Sequence, residues 1–312
     1  MRAIAIDLAA GRTRIVEAPT PTSGPGQVLV EVVLSAVNEM DVQVRAGGWT
    51  PQVRRFKRAG PVLTGFEFVG VARGDGARIR SGQRVIGYSH VLNGARTHAA
   101  FVAMNERELA PIPDSLDDEG AAALVVMGLT AVEVFERIRP LSKGDRCLVI
   151  GAAGGVGAYA VQLAAWQGAE VTAVCSEANA DRVRSLGAAQ VRIRELGDHY
   201  QPGDQFDLVL DTPARSRFHK AAPYLSPTGT YVSTNPMNDI PGLVQAVFSR
   251  KRAGWLMMLS TDPGRFARLI DLYGQGALKP VVDSVFDLAE ADAAFDRFAA
   301  GGKVGRVLLR TG

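Results

Sequence analysis

The chain has 312 residues, about twice the usual length of one domain, so two domains are expected. Hydrophobic residues make up 47% and charged residues 21%, which excludes a disordered chain, and a net charge of +3 does not favour nucleic acid as a partner. Two cysteines, Cys147 and Cys175, are too few for a disulfide framework or a structural zinc cluster. Because no apolar run is long enough for a membrane span or a signal peptide, a cytoplasmic protein without a membrane partner is expected.

Residues 1 to about 118 are predicted to be rich in β-strands. The breakers of residues 22–26 precede the β-branched run 27–37, and shorter apolar runs separated by glycine-containing turns follow it. The first long helical pattern begins after Ser115, a candidate N-cap, with acidic residues in its first turn.

From Cys147 onward, short apolar strands alternate with helical segments, which Gly168 and Gly187 are expected to end. Strands without polar alternation, separated by helices, indicate a parallel sheet covered on both faces, and therefore a doubly wound α/β fold. The segment after residue 260 reads as strand, helix and strand, and it could rejoin the first part. The predicted domains are residues 1–118, 119–260 and 261–312.

A glycine-rich turn connects the first strand of the parallel sheet to a helix. The spacing Ala152-x-Gly154-x-x-Gly157 in this context indicates a dinucleotide site, because small residues let the backbone and the helix N-terminus approach a pyrophosphate. An ordinary packing turn is the alternative, since Ala152 replaces the usual first glycine. The residues expected to contact the nucleotide are Gly151, Ala152, Gly154, Gly155, Val156 and Gly157.

The second strand of this sheet ends at Ser176, about 20 residues after the turn, where an NAD site carries an acid for the ribose 2′-hydroxyl. A serine at this position is compatible with a nearby 2′-phosphate, and Arg182 would add positive charge. The carboxylate of Glu177 would instead repel the phosphate. NADPH is therefore favoured, NADH is not excluded, and the predicted contacts are Ser176, Asn179 and Arg182. An exposed helix charge is the alternative for Arg182.

The chain resembles zinc-independent members of the medium-chain dehydrogenase/reductase superfamily, nearest to the quinone oxidoreductases and enoyl reductases. The resemblance covers essentially the whole length, and its landmarks include GPGQVLVEV, AVNEMDVQVRAGGW, GFEFVGVA, GQRVIGY, GAAGGVGAYAVQLA and GGKVGRVLL. It implies a Rossmann domain and a GroES-like β-barrel catalytic domain that the C-terminal segment completes. It also implies a homodimer joined near residues 255–260, for which an interior strand of a monomer is the alternative.

Zinc-dependent relatives carry a Gly-His-Glu segment, whereas this chain has Gly65-Phe66-Glu67, and Asn38 falls near their cysteine ligand. No metal site is therefore expected. Without a metal Lewis acid, alcohol oxidation is disfavoured, and hydride transfer from NADPH to a hydrophobic quinone or α,β-unsaturated carbonyl is favoured.

The resemblance places Asn38 near the nicotinamide and substrate, and Thr130 against the nicotinamide; a turn amide and a packing hydroxyl are the alternatives. Gln43 stands where many relatives have a tyrosine, and an amide is a poor proton donor. Histidine is the residue type best suited to proton transfer near neutral pH, so His98 is the candidate acid, with a structural histidine as the alternative.

Two other functions stay open. A biosynthetic enoyl reductase would act on a carrier-bound or coenzyme A-bound substrate, whose anionic tail the basic loop 49–60 would attract. A solvated surface is the alternative for that loop, which contains Arg54, Arg55, Lys57 and Arg58. The third possibility is an NADPH-binding protein with little or no turnover.

Overall fold

The computed structural model describes residues 1–48, 62–90, 96–197, 199–235, 239–256 and 261–312, without the side chain of Trp255. The chain forms two compact units. The first consists of Met1–Val126, Met258–Asp271 and Pro280–Gly312, and the second of Met127–Met257 and Leu272–Lys279.

The first unit is built on two β-sheets. Its strands are β1 (Arg2–Asp7), β2 (Arg12–Glu17), β3 (Gln27–Ala36), β4 (Val62–Leu63), β5 (Glu67–Ala72), β6 (Arg84–Tyr88), β7 (Phe101–Asn105), β8 (Leu109–Pro111), β15 (Val282–Asp287) and β16 (Arg306–Arg310). One sheet has the order β2-β1-β4, and the other β15-β16-β3-β5-β6-β8, with β7 also paired to β3. Because β16 pairs antiparallel with β3, the C-terminal segment belongs to the sheet that the first part of the chain forms.

Two helices of the first unit pack against its apolar core. Helix α1 (Glu39–Arg45) and helix α8 (Ala291–Ala299) are described there. The buried residues of α8 recur at helical spacing and pack against apolar residues such as Ile4, Val44 and Leu309. This arrangement fixes α1, which begins immediately after Asn38, against the core.

Helix α2 (Asp118–Glu133) begins in the first unit and ends in the second, and a π-helical segment, Val134–Ile138, follows it. The prediction that Ser115 caps this helix is wrong. The carboxylate of Asp117 accepts a hydrogen bond from the backbone N–H of Gly120 at 2.7 Å, so the cap lies two residues later.

The second unit contains a six-stranded parallel sheet in the order β11-β10-β9-β12-β13-β14. Its strands are β9 (Arg146–Ile150), β10 (Glu170–Cys175), β11 (Gln190–Ile193), β12 (Phe206–Asp211), β13 (Leu225–Ser233) and β14 (Arg252–Trp255). The strand order reverses direction at β9, which is the order of a doubly wound Rossmann sheet. The predicted fold class is confirmed.

Helices connect the strands of this sheet. They are α3 (Gly155–Trp166), α4 (Ala180–Ser185), α5 (Phe218–Ala221) and α6 (Ile240–Val247). Helix α7 (Pro263–Gly274) follows β14, and all of it up to Asp271 belongs to the first unit. As predicted, α3 and α4 end just before Gly168 and Gly187. None of the helices in the described ranges has the length and apolarity needed to span a bilayer.

Candidate functional site

The glycine turn follows β9 and leads into α3. The backbone N–H groups of Gly151 and Ala152 both donate to the carbonyl of Val174 in β10 at 3.0 Å, which ties the turn to the neighbouring strand. A Cβ atom on Gly157 would lie 2.2 Å from the carbonyl oxygen of Gly151. Only glycine therefore permits this approach of helix to strand, which is the close packing that a dinucleotide turn requires.

The start of α3 presents unpaired backbone donors. Gly154 is its N-cap, and within the described part of the chain no side chain caps it. The first N–H groups of an α-helix have no intrahelical acceptor and lie at the positive end of its dipole. Gly154, Gly155 and Val156 are partly exposed, so this end of the helix is suited to an anionic phosphate.

The residues predicted to recognise the ribose lie next to this turn in the sheet. Ser176 directly follows β10, which pairs with β9, so Ser176 and the glycine turn leave the same edge of the sheet. Asn179 is buried, and its backbone N–H donates to the carbonyl of Ser176 at 3.0 Å. Arg182 is exposed on α4, and Thr130 is buried on α2.

A buried polar cluster in the first unit surrounds Asn38. Arg306 of β16 forms an ion pair with Glu67 of β5, and their side chains are 1% and 0% exposed. Arg306 also donates to Oδ1 of Asn38 at 3.1 Å, while Nδ2 of Asn38 donates to the carbonyl of Ala36 at 3.1 Å. Both ends of the Asn38 amide are therefore held in a defined orientation.

Glu67 is the acidic centre of this cluster. Its second carboxylate oxygen accepts a hydrogen bond from the backbone N–H of Val126 at 2.6 Å. Burial raises the pKa of Glu67, although Arg306, the Val126 N–H and Asn38 lower it. The carboxylate depends on these partners for its charge.

Asp41 connects Asn38 to His98. Its Oδ2 atom accepts a hydrogen bond from the backbone N–H of Asn38 at 2.8 Å and lies 3.4 Å from Nε2 of His98. Nδ1 of His98 is 2.9 Å from the hydroxyl of Ser35, and the ring packs edge-on against Phe295. The His98 side chain is fully buried, so its surroundings favour the structural role over that of a proton donor to substrate.

Gln43 lies on the other side of α1. Asp41 and Val44 are buried, whereas Gln43 is exposed and its Nε2 atom donates to Oε1 of Glu39 at 3.3 Å. Asp41 thus accepts a hydrogen bond from Asn38 and approaches Nε2 of His98 without hydrogen-bonding it, and the exposed Gln43 side chain lies outside that cluster.

Three charged members of the cluster were not singled out from the sequence: Asp41, Glu67 and Arg306. A signal exists, because Glu67 is the one charge of the β5 sequence EFVGVA and Arg306 directly precedes the apolar run of β16. Burial of a charge requires a partner, so each of these residues implies another one somewhere in the fold.

Two family models match the chain: the alcohol dehydrogenase GroES-like domain over residues 24–114 and the zinc-binding dehydrogenase model over residues 186–309. A chloroplastic quinone-oxidoreductase homolog of Spinacia oleracea is 29% identical over 311 residues, which cover 94% of this chain and 92% of that protein. A trans-enoyl reductase of Aspergillus terreus is 28% identical and covers 92% of this chain and 87% of its own length.

The same fold is found in a solved structure. The quinone oxidoreductase of Coxiella burnetii superposes with a TM-score of 0.89 at 24% identity, over 100% of this chain and 99% of that chain. The chain belongs to the medium-chain dehydrogenase/reductase superfamily. The segment that matches the GroES-like domain lies in the first unit, and the Rossmann sheet lies in the second.

Zinc, which some members of the superfamily hold, does not fit the residues of this member. Phe66 is buried and offers no ligand atom, Asn38 is bonded to Arg306 and Ala36, and the Glu67 carboxylate is paired with Arg306. Within the described ranges, no group of three or more histidine, cysteine, aspartate or glutamate residues could hold a metal ion.

Two features predicted from the sequence lie wholly or mostly outside the described residues: the basic loop and the dimerisation segment. The basic loop 49–60 lies outside the described residues. The dimerisation segment 255–260 is described only at Trp255, whose backbone ends β14, and at Leu256, which is buried.

Proposed function

We propose that the protein is an NADPH-dependent, zinc-free reductase that transfers hydride to a quinone or an α,β-unsaturated carbonyl. The observation that carries this proposal is the turn at Gly151–Gly157, whose packing and unpaired backbone donors suit a dinucleotide pyrophosphate. The relatives named quinone oxidoreductase and trans-enoyl reductase support the two acceptor classes.

The second unit would hold the cofactor. The turn residues would bind the pyrophosphate, Ser176, Asn179 and Arg182 the ribose phosphate, and Thr130 the nicotinamide ring. NADPH supplies the hydride, and the protein orients it. NADPH is proposed over NADH because Ser176, and not an acid, follows β10 directly.

Asn38 would orient the carbonyl of the acceptor. An amide whose two ends are held by Arg306 and Ala36 loses little freedom when a substrate binds, which favours a fixed reaction geometry. Gln43 is exposed and is a weak proton donor, so we assign the protonation of the reduced product to water.

An enoyl reductase acting on a carrier-bound or coenzyme A-bound substrate is the second candidate function. The trans-enoyl reductase of Aspergillus terreus favours it. The basic residues 54–58 would then attract the anionic tail of the substrate, and removal of their charges would raise KM for such substrates in a salt-dependent manner.

The test of the proposed function has two parts. NADPH oxidation is followed with a panel of quinones and conjugated enones, and failure with every acceptor would contradict a reductase. NADPH and NADH are then titrated against the wild type, Ser176→Asp and Arg182→Ala. Both substitutions are expected to weaken NADPH binding and spare NADH, and tighter binding of NADH by the wild type would contradict the cofactor assignment.

We also propose a homodimer that forms through the edge of the Rossmann sheet. Within the described residues β14 is one of the two edge strands of this sheet, opposite β11; it pairs only with β13, and α6 contacts it. An exposed apolar stripe lies on and just after α6, at helical spacing. Its members are Ile240, Val244, Val247 and Phe248, the last of which is 88% exposed.

A further inference from the structure

The register of two strands places an arginine beside Ser176. In the parallel pair of β10 and β11, Cys175 lies opposite Ile193. The next residues along the two strands are Ser176 and Arg194, which therefore leave the sheet at neighbouring positions. This is the carboxyl edge of the parallel sheet, where nucleotides bind in Rossmann folds.

Arg194 forms an ion pair with the neighbouring residue Glu195. Its Nη2 atom lies 2.5 Å from Oε1 of Glu195. The pKa of Glu195 is lowered by its own backbone N–H, by the Arg194 guanidinium, which donates to the carboxylate, and by the nearby backbone N–H of Glu177. Since Glu177 follows Ser176, the Glu195 carboxylate reaches from the end of β11 to the end of β10.

The charges of Arg184, Arg194 and Glu195 act on the end of β10. Burial and the charge of Glu195 raise the pKa of Cys175, the last residue of β10, and the charges of Arg184 and Arg194 oppose this rise only in part. Arg184 pairs with Asp181 at 2.7 Å, and Arg194 pairs with Glu195. Arg194 is 57% exposed, so its guanidinium is accessible from solvent.

We propose that Arg194 binds the 2′-phosphate of NADPH and that Glu195 competes with this phosphate for the same donors. The inference rests on the proposed cofactor assignment and names the residue pair that produces it. A carboxylate and a phosphate accept the same hydrogen bonds from a guanidinium and a backbone N–H, but the phosphate carries more charge and more acceptor oxygens. NADPH would displace the Glu195 carboxylate, whereas NADH would leave it in place.

The Arg194–Glu195 pair explains how NADPH binding next to Ser176 is compatible with acidic residues in the same region. Glu177 is exposed beyond Ser176, and its backbone N–H lowers the pKa of Glu195. The acid that matters for discrimination is then Glu195, which Arg194 neutralises. Substitution of either member should change the preference between the two cofactors in opposite directions.

The experiment measures equilibrium dissociation constants for NADPH, NADH and 2′,5′-ADP with the wild type, Arg194→Gln and Glu195→Gln. Loss of a hydrogen-bonded charge pair to phosphate should weaken NADPH and 2′,5′-ADP about 10- to 100-fold in Arg194→Gln, with NADH unchanged. Glu195→Gln should strengthen NADPH and 2′,5′-ADP several-fold. Arg12→Gln, which removes an exposed strand arginine of the first unit, is the matched control and should change nothing.

The outcomes separate the inference from the proposed function. Preferential NADPH binding by the wild type that Arg194→Gln leaves intact, or an equal loss of NADPH and NADH, overturns the role of Arg194 alone. Preferential NADH binding by the wild type overturns the cofactor assignment together with the inference. Circular dichroism of each variant verifies that the fold is retained.

Discussion

The guanidinium of Arg306 and the carboxylate of Glu67 form a completely buried ion pair that joins β16 to β5 within one sheet. The two residues are separated by 239 positions in the chain. Because neither charge reaches water, each depends on the other for its solvation. The pair also holds the Asn38 amide, so it connects the stability of the first unit with the geometry of the proposed substrate contact.

Arg306→Met should destabilise the protein by about 3–5 kcal/mol, because it leaves Glu67 buried without its counter-charge. Glu67→Gln in the same chain should restore part of that loss. Arg310→Met is the matched control on β16, since Arg310 pairs with Glu119 at a half-exposed site, and it should cost no more than about 1 kcal/mol. Urea unfolding measures all three, and equal effects at positions 306 and 310 would contradict the prediction.

Asn38→Ala should lower kcat for quinone reduction by about tenfold or more and leave the dissociation constant of NADPH unchanged, because the amide is proposed to orient the acceptor. Asn105→Ala serves as the control. The Asn105 side chain accepts a backbone hydrogen bond from Arg107 at an exposed site of the same unit. Steady-state kinetics and a binding titration test the prediction, and an unchanged kcat in Asn38→Ala would remove Asn38 from the proposed mechanism.

Gly157→Ala should destabilise the second unit by about 1–3 kcal/mol and weaken NADPH binding, because a Cβ atom would force α3 away from the Gly151 carbonyl. Gly274→Ala tests a glycine at a helix end that has open space around its Cβ position, and it should be neutral or slightly stabilising. Thermal unfolding and NADPH titration report both effects. Wild-type NADPH affinity in Gly157→Ala would contradict the assignment of the turn.

Asp204→Asn should destabilise the protein by about 2–3 kcal/mol near neutral pH. Asp204 receives two hydrogen bonds from Arg192, at 2.6 and 2.9 Å. Burial raises its pKa, but the hydrogen bonds from Arg192 and the Gln201 backbone and the charge of Arg192 outweigh burial and hold the pKa below the ordinary 3.8.

A depressed carboxyl pKa stabilises the fold fully above the unfolded value of 3.8, and this contribution is lost as the pH falls through the folded value. The difference between wild type and Asp204→Asn should therefore shrink below about pH 4. Urea unfolding across this range measures it. Asp181→Asn, whose side chain is exposed where it pairs with Arg184, should show almost no difference at any pH.

Phe248→Asp combined with Val247→Asp should convert the proposed homodimer into a monomer. Each chain would bring two carboxylates into the interface, where burial of unpaired charge is unfavourable. Sedimentation velocity measures the change. Ile15→Asp, which places a charge at a half-exposed apolar residue of β2, is the control and should leave the mass unchanged. A wild-type monomer would contradict the dimer directly.

The sequence by itself determined the local elements and the glycine turn. Apolar strands without polar alternation can only lie inside a covered sheet, and the runs 147–150 and 206–211 are indeed central strands of the second unit. The glycine turn could also be predicted from the sequence, since small residues between a strand and a helix form a local pattern that needs no distant contact.

Only the tertiary structure decided which polar groups meet. The pairing of Glu67 with Arg306 depends on strands β5 and β16 joining one sheet through β3, and no local pattern encodes a contact across 239 positions. The burial of His98 between Ser35, Asp41 and Phe295 depends on residues distant in the chain, and the exposure of Gln43 depends on which face of α1 packs against the core. Arg194 likewise lies beside Ser176 only through the register of β10 and β11, because strand pairing, and not distance along the chain, sets which side chains share an edge.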